Sequence, residues 1–165
     1  MSHAERMWRR MQNVVNVGRT TAPADESGNA STVQHAIYDS AARDAVPVAF
    51  HFGFAACLPV GSDTVTVQVA GSSSNGIIVA TGHQASRPKG LKPGESMMYN
   101  QRGDHVHFRA DGTIEVRAAT QVSIVSPTVH VTGDLRVDGD VTAGPVSLRA
   151  HTHPDPQGGN TGQPS

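Results

Sequence analysis

The sequence predicts an all-β protein with a small closed barrel near the amino terminus and a rod built from three identical chains. Short alternating strands separated by Gly, Pro and Asp predict the β structure. The composition agrees, because 17 glycines and 10 prolines in 165 residues disfavour the long unbroken runs of a helical bundle. A short repeat with one apolar face, and no helix following it that could cover that face, predicts the assembly of three chains.

The first segment, residues 1–17, is predicted to be a short helix. Met7, Met11 and Val14 fall at positions i, i+4 and i+7, which places them on one apolar stripe. The stripe could pack on its own domain or dock onto another protein, and the spacing is compatible with both alternatives. This segment itself lacks the apolar core of a signal peptide, because Arg9 and Arg10 follow Met7-Trp8 at once. We therefore expect assembly in the cytoplasm of the cell that makes the protein.

Residues 18–95 are predicted to form a barrel of the oligonucleotide/oligosaccharide-binding (OB) shape, with a small sandwich as the alternative. The period-2 run at 64–69 and the short apolar run at 77–79 are typical of strands in such a barrel. Phe50, Phe52 and Phe54 alternate as core residues of a further strand should. Nucleic-acid binding is not expected, because the net charge is −1 and no basic stripe accompanies the aromatic residues.

Residues 96–148 are predicted to form the rod. A six-residue repeat runs through 129–134, 135–140 and 141–144, and its apolar side chains keep odd numbers in all three units. Three units are too few to stack into a stable single-chain β-helix. An exposed stripe of Val and Leu invites aggregation, so the economical arrangement is an intertwined trimeric prism with a shared apolar interior.

Two His-x-His pairs are the candidate metal ligands, because residues i and i+2 of a strand project to the same side. His105 and His107 alternate with apolar Val106 and Phe108, and we expect them to face solvent. His151 and His153 end the last strand, and they point inward only if the strand changes phase after Leu148. Three chains on one axis would then supply six nitrogen ligands, which suits octahedral Fe(II) or Ni(II) better than zinc.

A metal-dependent hydrolase is the enzymatic alternative, since His151-x-His153-x-Asp155 is similar to the first part of a hydrolase ligand set. Such sites need further ligands and a general base in a pocket. None of the ten residues after Asp155 is His, Cys, Asp or Glu. We therefore expect no catalytic residues and no small-molecule substrate.

Four segments together carry a resemblance to one protein family, and that resemblance spans roughly residues 40–164. They are RPKGLKPGE at 87–95, GDHVHFRADGTIEV at 103–116, TVHVTGDLRVDGDVTAG at 128–144 and VSLRAHTHPDPQGGNTGQP at 146–164. In this order they resemble the baseplate spike proteins of Mu-like contractile-tail phages, the baseplate assembly protein V-like family. The combination is specific, whereas each segment alone is a weak signal.

The resemblance implies a virion protein of the tail baseplate that pierces the host outer membrane when the sheath contracts. It also implies a homotrimer whose OB-like domain binds the baseplate hub and whose triple-stranded β-helix ends in a pointed tip. Residues 149–165 would form the metal-binding apex, where His151 and His153 of three chains hold one iron ion. A receptor-binding trimeric tail fibre is the other alternative. Fibres usually carry a larger globular tip than the Gly- and Pro-rich residues after His153 suggest.

Overall fold

The computed structural model describes residues 2–12, 14–37, 42–72 and 74–162. The chain divides into two compact units, Met1–Val122 and Ser123–Ser165. Within the described residues, ten strands accompany one α-helix and one 3-10 turn. The prediction of an all-β protein is therefore confirmed. None of the helical segments among these residues has the length and apolar character needed to cross a membrane.

The helix α1 spans His3–Gln12 and begins with a reciprocal cap. The backbone N–H of Glu5 donates to Ser2 Oγ at 3.1 Å, and the backbone N–H of Ser2 donates to Glu5 Oε2 at 2.7 Å. The helix is shorter than the predicted 1–17. Val15 already begins the first strand, where cross-strand pairing satisfies its backbone groups.

Five antiparallel strands of the first unit form one sheet in the order β3-β2-β1-β4-β5. A 3-10 turn at Val69–Gly71 joins β4 to β5. Beyond the end of β3, Val48 forms a parallel bridge to Ile78 of β5, and the Ala49 N–H donates to the Ile78 carbonyl at 2.8 Å. The two edge strands are thus bonded to each other at that point. The strands are β1 Val15–Thr20, β2 Thr32–Ala36, β3 Arg43–Pro47, β4 Asp63–Gln68 and β5 Gly76–Gly82.

The interior of this sheet is small and partly polar. Its buried apolar side chains are Val33, Val46, Val48, Leu58 and Ile78. On β4 the inward positions are instead Thr64, Thr66 and Gln68, which are almost fully buried. The alternation of the strand consequently turns Val65 and Val67 to the outer face, so β4 is polar inside and apolar outside.

The three phenylalanines after β3 do not form the core-facing strand that the sequence predicts. Phe50 packs partly on the core, but Phe52 is fully exposed and Phe54 is largely exposed. The predicted strand ends early because the chain turns here. Gly53 has φ +88°, a conformation that favours glycine, and the Phe54 N–H donates back to the His51 carbonyl at 2.9 Å.

A second sheet of three antiparallel strands follows in the order β6-β7-β8, with a turn through Asp111-Gly112 between the last two. Its more buried face carries charged and titratable side chains, whereas Ile114 and Val116 are exposed. The expectation that His105 and His107 face solvent is wrong in the single chain, where their side chains are only 16% and 12% exposed. The strands are β6 Ser96–Tyr99, β7 His105–Phe108 and β8 Ile114–Arg117.

The second unit has little regular structure of its own. Residues 123–141, all of which the structure describes, form no strand within the chain. Two short antiparallel strands follow, β9 Thr142–Ala143 and β10 Val146–Ser147. The apolar side chains Val129, Val131, Leu135 and Val137 of the first two repeat units are exposed, which leaves the predicted interior without a partner in one chain.

Candidate metal centre

The turn that follows β10 separates the last strand from the two candidate ligands. The backbone N–H groups of Arg149 and Ala150 donate to Ser147 Oγ at 3.2 and 3.1 Å. The His151 N–H then donates to the Ser147 carbonyl at 3.1 Å, which closes one helix-like turn. This turn interrupts the strand alternation between Leu148 and His151, at the place where an inward-facing pair of histidines requires a change of phase.

The hydroxyl of Ser147 also links this turn to the preceding part of the chain. It hydrogen-bonds to Asp140, and this bond is the main cause that lowers the pKa of the Asp140 carboxyl below its ordinary value. The Arg149 N–H adds a bond to Asp140 Oδ1 at 3.2 Å. The Asp140 carboxylate therefore accepts hydrogen bonds from two residues of the turn, Ser147 and Arg149.

The imidazole of His151 is oriented by the same turn. Its Nδ1 lies 3.0 Å from the Ser147 carbonyl oxygen, and the side chain is half-buried. A carbonyl oxygen can only accept, so Nδ1 carries a proton, and in the neutral form of the ring Nε2 keeps its lone pair. A histidine that donates one ring N–H to a carbonyl while the other nitrogen is available is the usual arrangement at a metal site.

His153 is held by the chain that follows it. Its backbone N–H donates to Thr161 Oγ1 at 2.9 Å, and its carbonyl accepts from the Thr161 N–H at 2.8 Å. Pro154 and Asn160 form an antiparallel bridge next to these bonds. The His151 and His153 rings have centroids 5.1 Å apart and lie nearly perpendicular. One chain therefore presents two neighbouring imidazoles on a braced backbone.

These two residues fit a metal ion, but only as part of a larger ligand set. Within the described part of one chain, no group of three or more His, Cys, Asp and Glu side chains is placed to hold a metal. Two neighbouring imidazoles, of which that of His151 is oriented by a backbone carbonyl, are a suitable contribution to a six-nitrogen site. The remaining ligands would have to come from other chains.

Asp155 does not extend the histidine pair into a hydrolase-type ligand set. Its Oδ1 accepts from the Gln157 N–H at 2.9 Å, and its carbonyl accepts from Gly158 at 3.0 Å. The carboxylate thus stabilises its own turn. The structure gives this residue a local role and provides no support for the hydrolase alternative.

The other histidine pair belongs to a charged cluster that the sequence analysis missed. His107 Nε2 lies 3.4 Å from Glu95 Oε2, an ion-pair distance without hydrogen-bond geometry, and His105 Nε2 lies 3.9 Å from Glu115 Oε1. Glu115 also pairs with Arg109. The hairpin register could have revealed part of this cluster, because a turn at Asp111-Gly112 brings His107 opposite Glu115.

Glu95 is the best-anchored carboxylate of this cluster. Its Oε2 accepts from the Lys92 N–H at 3.0 Å and its Oε1 from the Ala110 N–H at 3.1 Å. These two backbone bonds, ahead of the nearby His107, hold the pKa of Glu95 below its ordinary value. The cluster therefore ties the 87–95 segment to the three-stranded sheet.

Comparisons with known proteins give two matches. A family model described as Bacteriophage Mu Gp45, N-terminal, matches residues 21–85, which contain β2 to β5. The baseplate puncturing device gp45 of Escherichia phage Mu is 25% identical over 179 aligned residues. That alignment covers 93% of this chain and 86% of the phage Mu protein.

Proposed function

We infer a mechanical role for this chain, which is a Mu-like baseplate spike protein, a structural component of the phage virion and not an enzyme. Three copies form the central spike of the tail baseplate. During sheath contraction, the spike is driven through the host outer membrane. The protein acts by transmitting force, so stiffness and a durable apex are the properties it needs.

The observation that carries this proposal is the exposed apolar face of the second unit. Leu135 is 72% exposed and Val125 is 96% exposed in the single chain. An apolar surface of this extent on a soluble chain marks a site of association. Three chains that wind around one axis remove it from water and complete the backbone hydrogen bonds that one chain leaves open. The large exposed apolar residues of this unit are Ile124, Val125, Val129, Val131, Leu135, Val137, Val146 and Leu148.

The amino-terminal sheet supports an OB-like barrel that attaches the spike to the baseplate hub. The strand order β3-β2-β1-β4-β5, with the bridge between Val48 and Ile78, is the connectivity expected when a five-stranded sheet closes on itself. A closed barrel has few unpaired strand edges and a rigid surface. Such a domain is suited to binding the hub in one fixed orientation.

The apex of the spike holds one iron ion through His151 and His153 of the three chains. The oriented Nε2 of His151 and the braced backbone of His153 support this assignment. An ion with six protein ligands has no open position for a substrate, so its role is structural. It joins three chain ends that would otherwise fray under load.

Particles that carry variants of this chain test the mechanical role. Removal of residues 149–165 should leave adsorption and sheath contraction intact, while penetration of the outer membrane falls by at least tenfold. The substitution His130→Ala, at an exposed histidine of the repeat, is the matched control and should penetrate normally. Full penetration by the shortened chain would contradict the spike role. Loss of adsorption would favour the receptor-binding fibre instead.

A further inference from the structure

The outer face of the five-stranded sheet is an uncovered apolar surface, here called the outer sheet face. The pairing register aligns Val15 with Val67 and Val67 with Ile77, and it aligns Val17 with Val65. Residues directly opposite each other in antiparallel strands point to the same side, so these five side chains form one patch. Val15 is 57% exposed and Val17 is 45% exposed.

The amino-terminal helix carries a second uncovered apolar surface. Met7 and Met11 lie one turn apart on α1, with Trp8 beside them, and each of the three is more than half exposed. The helix contacts the 3-10 turn that follows β4 and leaves the outer sheet face open. One chain thus has an apolar helix stripe and an apolar sheet face that do not cover each other.

We propose that α1 of each chain packs on the outer sheet face of the next chain around the threefold axis. This inference rests on the proposed trimer. Every copy has one helix stripe and one sheet face, so a head-to-tail contact repeated three times closes into a ring and leaves neither surface free. The amino-terminal domains then hold each other in a fixed arrangement where the spike meets the hub.

The area of the two surfaces favours a second copy of this chain over a separate protein as the occupant. Complete burial of both surfaces would remove at most roughly 700 Å² in one helix–sheet contact, against about 1,200 Å² at the lower limit for most stable complexes. A free partner would therefore bind this face weakly. Copies joined through the second unit are held at high effective concentration, which makes a small contact sufficient.

Cross-linking in the full-length protein tests the proposal. In a Cys57→Ser background, which removes the exposed native thiol, we would combine Met7→Cys with Val17→Cys and add a short bis-maleimide reagent. Most chains should appear as covalent dimers and trimers on a denaturing gel. Met11→Cys with Val17→Cys is the second variant. The matched control combines Met7→Cys with Asn29→Cys, in the exposed loop before β2, and should give only background cross-linking.

The outcomes separate this inference from the trimer on which it rests. Light scattering before the reagent is added reports the mass of the unlinked protein. A trimeric mass with only intrachain links, or with no links, would overturn the helix–sheet contact and leave the spike proposal standing. Interchain links that appear only after a hub protein is added would overturn it too. A monomeric mass would refute both proposals.

Discussion

His151 Nδ1 lies 3.0 Å from the carbonyl oxygen of Ser147, four residues earlier in the chain. In the neutral ring, this bond places the proton on Nδ1 and leaves the lone pair on Nε2. The same serine accepts two backbone N–H bonds on its hydroxyl oxygen. Ser147, at the end of β10, therefore stabilises the turn that leads to the proposed apex. Its carbonyl also orients the ring of His151, the first proposed ligand.

The first prediction concerns the metal. The double variant His151→Ala/His153→Ala should lose bound iron and remain a trimer, because the apolar interior proposed for the assembled second units would be the larger stabilising contribution. Elemental analysis of the purified protein should find one metal per three wild-type chains and none in the variant. The wild-type site should also empty in acid, since only the neutral imidazole binds metal.

The control for this prediction is the other histidine pair. His105→Ala/His107→Ala should keep the full metal content, because those side chains face Glu95 and Glu115. About three metals per trimer, or unchanged metal after His151 and His153 are replaced, would refute a single shared site.

The second prediction concerns the turn at Ser147. Ser147→Ala removes the hydroxyl that binds Asp140 and two backbone N–H groups, while the carbonyl that orients His151 remains. We expect metal affinity to fall by about tenfold, as for other residues that support metal ligands. Competition with a chelator measures the change. Thr152→Ala, between the ligands, is the comparison and should change affinity far less; equal losses would argue against the turn.

The third prediction concerns acid stability. The pKa of Glu95 is lowered in the folded chain, so its carboxylate stabilises the fold above the ordinary value of 4.5. That contribution disappears as pH falls through the lowered pKa. Glu95→Gln should therefore lower the Tm at neutral pH, and the difference from wild type should narrow in acid.

Thermal unfolding across this pH range provides the measurement for Glu95. The control is Asp138→Asn, whose side chain is 90% exposed beside Arg136 and should have little effect at any pH. A difference between Glu95→Gln and wild type that stays constant into strong acid would show that the carboxylate charge does not contribute.

The fourth prediction concerns which segment holds the chains together. A fragment of residues 105–165 should form the trimer, while residues 1–95 alone should associate weakly. The repeat leaves its apolar side chains exposed in one chain, whereas the amino-terminal sheet buries a core of its own. Sedimentation of the two fragments measures this. A tight trimer of residues 1–95 together with a monomeric 105–165 would reverse the assignment.

The sequence predicted the β class and the strands at β4 and β5, because alternation and turn residues are local signals. It missed the turn at Gly53 that exposes Phe52, since an alternating pattern continues through a glycine that changes the chain direction. It also placed His105 and His107 on the solvent side. That expectation assumed that apolar residues face inward, whereas the three-stranded sheet packs its charged face within the chain and leaves Ile114 and Val116 of β8 exposed.

Strand alternation alone did not decide whether the His151 side chain points inward or outward. Only the bonds from Arg149, Ala150 and His151 to Ser147 show that the alternation stops there. Hydrogen bonds of this kind depend on backbone conformation, and residue types alone do not specify them. The His-x-His spacing, in contrast, was readable because i and i+2 share a side in any strand.

The mass of the full-length protein in solution tests the central claim most directly. Multi-angle light scattering should give about 52 kDa, three times the 17.3 kDa of one chain, at all concentrations where the protein is soluble. In the proposed trimer, the three chains cover one another's apolar face, which includes Val129, Leu135 and Val137 and is exposed in the single chain. A stable, soluble monomer of 17.3 kDa would contradict the account, because that face would then remain in water.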